Sequence, residues 1–182
     1  MADINLTAVK RQPTSVESVG PTAPGEPMWD IIELLFFAYR DFVGDPDHEL
    51  AKLGFGRAHH RVLHFVNRNP GMKVADLLEI LRITKQSLGR VLKQLVDEGY
   101  VLQKEGERDR RQRLLFVTEK GAALAMSLAE LQTVRIARAI AEAGPDVPEA
   151  ARRFLAAMID PDDRTDVLSL IERANKALQQ RK

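Results

Sequence analysis

Residues 73–118 read KVADLLEILRITKQSLGRVLKQLVDEGYVLQKEGERDRRQRLLFVT, and this stretch decides the fold. Val74, Leu77, Leu78 and Leu81 recur at i, i+3, i+4 and i+7, the spacing of one buried helical face. Arg82 and Ile83 leave only a very short link. Thr84 then supplies an N-cap for a second helix, in which Leu88, Val91, Leu92, Leu95 and Val96 keep the helical period as far as Asp97. Gly99 stands just past that end, where a left-handed cap suits a residue without Cβ. Two β-type runs follow, 100–104 and 113–117, joined by a charged tip in which Gly106 permits a turn. Helix, short turn, helix and hairpin in this order make a winged helix-turn-helix.

A recognition helix has to bury one face on its own domain and offer the other to a major groove. With Leu88 at zero and about 100° per residue, the apolar set falls within about 80° of that direction. Gln86, Arg90 and Lys93 fall opposite, with Ser87 at the flank. Arg and Lys suit guanine edges or phosphates, Gln suits adenine, and Ser suits either. Thr84, Lys85, Gln86 and Ser87 form the first turn, where free N–H groups and the helix dipole favour a phosphate. Polar residues on an amphipathic helix are more often just a solvated face. The hairpin tip shifts that balance. It places Lys104, Arg108, Arg110, Arg111 and Arg113 against Glu105, Glu107 and Asp109, five positive charges to three negative. A weakly hydrated guanidinium is readily desolvated into the negative potential of a narrow minor groove.

Outward from this stretch the pattern is helical. Residues 1–26 mix Pro, Thr, Ser and Val without periodicity and read as a disordered arm. Residues 27–42 are apolar almost all round, with Trp29, Ile31, Ile32, Leu34, Leu35, Phe36, Phe37, Tyr39 and Phe42, and the run 44–47 ends that helix. Such a helix needs cover on most sides, from a second subunit or from a monomer core. One or two helices fill 50–69, stopped by Asn69, Pro70 and Gly71. Thr118 caps a long helix to about Ala143, a further helix spans 148–158, and a last one spans 164–181 with Val167, Leu168, Ile171, Ala174 and Leu178 on one stripe.

The totals exclude several classes. The chain has 182 residues, 45% of them hydrophobic and 29% charged, with a net charge of +1, so attraction to nucleic acid must come from local concentration of cations. There is no cysteine, hence no disulfide, thiolate metal site or thiol switch, in keeping with a cytoplasmic setting. The start lacks a signal-type apolar run, and residues 31–39 are too few to span a bilayer, so no membrane partner is expected. No nucleophile elbow, phosphate-binding glycine loop or complete metal set is present, so neither catalysis nor a cofactor is expected. His48, His59, His60 and His64 cluster, and His60 and His64 share a face at i, i+4. That spacing can chelate zinc, but without a third ligand the histidines read as structural or interfacial and no metal site is assigned.

The segments 73–81, 84–88, 95–101, 107–111 and 117–121 resemble the MarR family of winged helix-turn-helix regulators. The resemblance runs over about residues 28–143 and is strongest from 60 to 121. Its most specific piece is the wing pair Asp109 and Arg111. It implies that Arg111 reaches a minor groove while Asp109 helps hold the wing arginines, with Arg108 and Arg110 beside them. It assigns the recognition role to Thr84, Lys85, Gln86, Ser87 and Arg90, to which the helical wheel adds Lys93. It implies an obligate homodimer joined through its terminal helices, here Trp29, Ile32, Leu35 and Phe36 with Leu168 and Ile171.

The fold class is therefore mainly α (α+β): a winged helix-turn-helix with a two-stranded β-wing, flanked by N- and C-terminal dimerisation helices. The organisation expected is an arm over 1–26, a dimerisation helix and loop over 27–49, the DNA-binding lobe over 50–121, and the long helix with C-terminal dimerisation helices over 122–182. Double-stranded DNA, a second copy of the chain and a small-molecule effector are the partners implied. The family's commonest mode is repression from an inverted-repeat operator, released by a ligand. Trp29, Phe36, Tyr39, His60 and His64 lie within reach of the family's usual cleft, without any being assigned to an effector. The alternatives are a winged-helix protein–protein module without an operator, and a metal-responsive regulator using the histidines.

Overall fold

A computed structural model describes residues 26–106, 109 and 111–179. Contacts divide the chain at Ala38 and Tyr39 into two units. The described part of the first unit is the opening of helix α1 (Trp29–Ala51). Its side chains Trp29, Ile32, Leu34 and Phe36 are exposed, and Leu35 is half-buried.

The second unit starts with the rest of α1 and continues through α2 (Arg57–Arg68), β1 (Met72–Lys73), α3 (Val74–Leu81), α4 (Lys85–Asp97), β2 (Val101–Glu105), β3 (Arg113–Val117), α5 (Glu119–Ala143), α6 (Val147–Met158) and α7 (Pro161–Gln179). It is the mainly helical winged helix-turn-helix that the sequence implies. A single apolar cluster joins Leu50, Val62, Leu63 and Val66 to Leu77, Leu81, Leu88, Leu92, Leu95, Leu115 and Leu128. The face of α4 read as apolar is the face that points into this cluster. No helix among the described residues is long and apolar enough to cross a membrane.

Three expectations need correction. The run 44–47 does not end the first helix: α1 passes through Pro46 to Ala51. An interior proline forfeits one backbone bond and costs about 3 kcal/mol. Here Pro46 is fully buried, and its neighbours are tied down from other elements. Asp45 accepts from Arg135 at 2.8 Å and Asp47 from Arg57 at 2.7 Å. The sheet has three strands rather than the hairpin's two, in antiparallel order β1-β3-β2. Met72 pairs with Leu115, and the Gly71 N–H donates to the Leu115 carbonyl at 2.7 Å. Two residues show no alternation, so β1 exists only because β3 offers it an edge. Finally, α7 begins at Pro161 instead of 164, since a first-turn proline has no bond to lose.

The wing joins α5 through a tight contact. Thr118 donates its Oγ1 hydroxyl to the Gly99 carbonyl at 2.7 Å, and the same oxygen accepts the Gly121 N–H at 3.0 Å. Gly121 lies so close to the strand that a Cβ built on it would stand 2.0 Å from the Tyr100 carbonyl oxygen.

Candidate DNA interface

The helix-turn-helix turn is short because Arg82 takes the left-handed conformation, φ 49°, which lets the chain reverse in one residue. Its guanidinium pairs with Asp163 at the start of α7. Thr84 then caps α4, its Oγ1 accepting the Ser87 N–H at 3.1 Å. The cap places Lys85 and Gln86 in the exposed first turn, with Ser87 half-buried beside them. Arg90 and Lys93 are exposed further along. Lys93 is paired with Asp97 one turn on, so its charge is partly compensated, whereas Lys85 and Arg90 have no ion pair among the described residues. Five of the six residues read as a recognition surface are thus exposed at or along one capped helix, with Ser87 half-buried at its flank.

The wing is built from a regular hairpin with Glu105 opposite Arg113. These two form an ion pair at 2.8 Å, and Lys104 lies over the Phe116 ring at 5.0 Å. At the tip, the Asp109 carboxylate accepts the Arg111 backbone N–H at 2.9 Å, and the Gln112 N–H donates to the Asp109 carbonyl at 3.0 Å. Gly106 closes the turn: a Cβ there would meet the Asp109 carbonyl oxygen at 2.8 Å. The Arg111 side chain is exposed on this braced turn. Arg108 and Arg110 lie outside the described residues.

Between α4 and the wing lies a cleft of about 690 Å³. Lys73, Lys93, Arg111 and Arg113 line it against the single carboxylate of Asp97, with Gly89 and Leu92 also in its walls. Lys73 and Gln103 were not singled out from the sequence; Lys73 comes to the cleft because β1 pairs with β3, which sets it opposite Leu114.

The sequence and the fold both match known proteins. The MarR family profile fits residues 53–112. The HTH-type transcriptional regulator PetP of Rhodobacter capsulatus is 51% identical over 130 residues, which is 71% of this chain and 78% of that protein. The chain belongs to the MarR family. It is a helix-turn-helix transcription regulator and not an enzyme. Solved structures share the fold. NadR in complex with 4-hydroxyphenylacetate has a TM-score of 0.62 at 21% identity, covering 78% of this chain and all of that one, 100%. The MarR family regulator SP03579 has a TM-score of 0.59 at 14% identity, over 85% of this chain and 94% of that one. Wild-type MarR from E. coli has a TM-score of 0.55 at 20% identity, over 75% and 98%.

The histidines separate in this family member. His60 is the buried polar side chain of the core region, at 7% exposure. Burial pushes its imidazole below the ordinary value, and the Asp47 carboxylate pulls it part of the way back. His64 stays exposed and His59 is half-buried. Among the described residues no group of three or more His, Asp or Glu side chains could hold a metal ion. A second cleft, of about 620 Å³, opens between the end of α1 and α5, with Glu49, Leu53, Leu131, Val134 and Arg135 among its walls. Tyr39, His60 and His64 do not line it.

Proposed function

We propose that this regulator binds an inverted-repeat operator as a homodimer, each copy laying α4 in a major groove and its wing in the adjacent minor groove. The observation that carries the reading is the pairing of two exposed rows on rigid supports. One is Lys85, Gln86 and Arg90 on the capped face of α4; the other is Arg111 on a turn held by Asp109. If helix and wing enter neighbouring grooves, the phosphate strand between those grooves crosses the cleft that separates them. Lys73 and Arg111 suit that strand, beside Lys93 paired to Asp97 and Arg113 paired to Glu105.

The homodimer is supported by the exposed apolar side chains Trp29, Ile32 and Phe36 on α1 and Leu168 and Ile171 on α7. Release by a small molecule is supported by the α1–α5 cleft, and by the ligand that NadR was solved with. Repression is the mode this arrangement fits, because a dimer clamped across an operator occludes it until the half-site spacing changes.

Selection from a pool of random duplexes tests the reading. The expected product is a palindromic site. Arg111→Ala should weaken binding to it by about 1–3 kcal/mol with the fold intact. Affinity should also fall steeply with salt as phosphate contacts release counterions. Failure to enrich any sequence, or a flat salt dependence, overturns it in favour of a protein partner.

A further inference from the structure

We infer that His59 is a positioning residue for the recognition helix: from the first turn of α2 it fixes the roll of α4 through Gln94. The inference rests on the operator reading above. The backbone N–H of Gly56 donates to His59 Nδ1 at 3.1 Å. An amide N–H can only donate, so Nδ1 is the unprotonated nitrogen and Nε2 carries the hydrogen. Nε2 therefore donates to Gln94 Oε1, 2.9 Å away and 35 residues on. The other end of that amide is also occupied, since Gln94 Nε2 donates to Glu98 Oε1 at 2.9 Å. Both the ring and the amide are thus oriented by a second partner, and the bond between them has one geometry.

The ring itself cannot swing away easily. It stacks on Phe55 with centroids 4.8 Å apart and planes 13° from parallel. Phe55 is buried and meets Tyr100 edge-on at 5.1 Å. Tyr100 returns to α4, its N–H donating to the Leu95 carbonyl at 2.8 Å. His59 is held on one side by the corner before α2 and on the other by the end of the helix it braces.

The apolar contacts of α4 explain why a brace matters. Leu88, Val91, Leu92 and Leu95 attach the helix by apolar packing, which is strong but non-directional. Packing alone tolerates a small roll. A roll of about 10° displaces side-chain tips some 5–6 Å from the helix axis by roughly 1 Å. Base-edge hydrogen bonds are held to about 0.5 Å, whereas long cationic side chains follow a phosphate easily. On the helical wheel Gln94 lies about 40° from Arg90, between the apolar face and the DNA-facing row. A bond at that position acts directly on the direction in which Gln86 and Arg90 point. Loss of the brace should therefore cost base readout and spare phosphate contacts.

The test uses the full chain with two probes, the duplex that the wild type selects from a random pool and a scrambled duplex of equal length, at one salt concentration. His59→Phe keeps the stack on Phe55 and removes both hydrogen bonds. It should raise the Kd for the selected duplex about five- to tenfold and leave the scrambled duplex and the melting temperature near wild type. His59→Asn, which keeps an acceptor for Gly56 but is too short for Gln94, should behave like His59→Phe. In a Gln94→Ala background the same His59 substitutions should add less than about twofold. Wild-type affinity in both His59 variants overturns the inference, as does equal weakening on both probes or an undiminished loss in the Gln94→Ala background. A wild type that selects no sequence overturns the operator reading itself and the role of the brace with it.

Discussion

Helix α4 and the opening of α1 are both rich in large apolar side chains, yet they end in opposite situations. On α4, Leu88 and Leu95 are buried to 1% and 0% exposure in a cluster whose members run from Leu50 to Leu128 in the chain. On α1, Trp29 and Phe36 remain 64% and 71% exposed. The difference lies in pattern. On α4 the apolar residues keep to one stripe that a small core can cover, whereas on α1 they surround the helix. A stripe describes burial within a chain, and an apolar surround describes a need for more surface than one chain supplies. The lobe with the stripe carries the proposed DNA surface, and the uncovered helices carry the proposed dimer.

The largest effect is expected where the lobe is tightest. Gly121→Ala puts a Cβ into the Tyr100 carbonyl oxygen and should destabilise the fold by about 3 kcal/mol, although alanine is the better helix former. Chemical denaturation measures it, and a neutral result would mean that the wing and α5 are not packed as described. Next, Leu95→Ala should lower unfolding free energy by about 2–5 kcal/mol at any protein concentration. Phe36→Ser should instead leave the isolated chain within about 0.5 kcal/mol and raise the dimer dissociation constant, read by sedentimentation or light scattering over a dilution series. Identical behaviour of the two variants would erase the comparison.

A smaller effect comes from His60. Its folded-state affinity for a proton is lowered by burial, while in the unfolded chain it titrates near the ordinary imidazole value of about 6.5. As pH falls through that value the unfolded chain takes up a proton that the folded chain resists, so stability falls. The contribution is complete above about pH 7 and is lost below it. The melting temperature should drop between pH 7.5 and 5.5, less steeply in His60→Gln, and equal slopes would remove His60 as the cause. The smallest effect is at the cleft: Lys73→Gln should weaken selected and scrambled duplexes alike and reduce the salt slope by about 1, the signature of one lost phosphate contact. A loss confined to the selected duplex would make Lys73 a base reader instead.

Much of the site was legible in advance because its signals are local. The Thr84 cap, the period of Leu88, Val91, Leu92 and Leu95, and the glycine after α4 each report backbone within one or two turns, and each is found as read. The Asp109 turn was legible only through the family resemblance, and its bond to the Arg111 amide is what the structure adds. Pro46 misled because a proline reports the bond it cannot make and says nothing of burial or ion pairs that outweigh the loss, whereas Pro161 opens α7 from the first turn, where no bond is lost.

By itself, then, the sequence determined which segments are helices, which face of α4 turns inward, and that the cations gather at a hairpin tip, because periodicity, capping and charge are properties of neighbours in the chain. Tertiary structure alone decided that β1 joins the sheet, that Lys73 meets Arg111 across a cleft, and that His59 reaches Gln94. Those pairings join residues dozens of positions apart. Their energies exist only once the core has brought the elements together, so no local pattern could announce them.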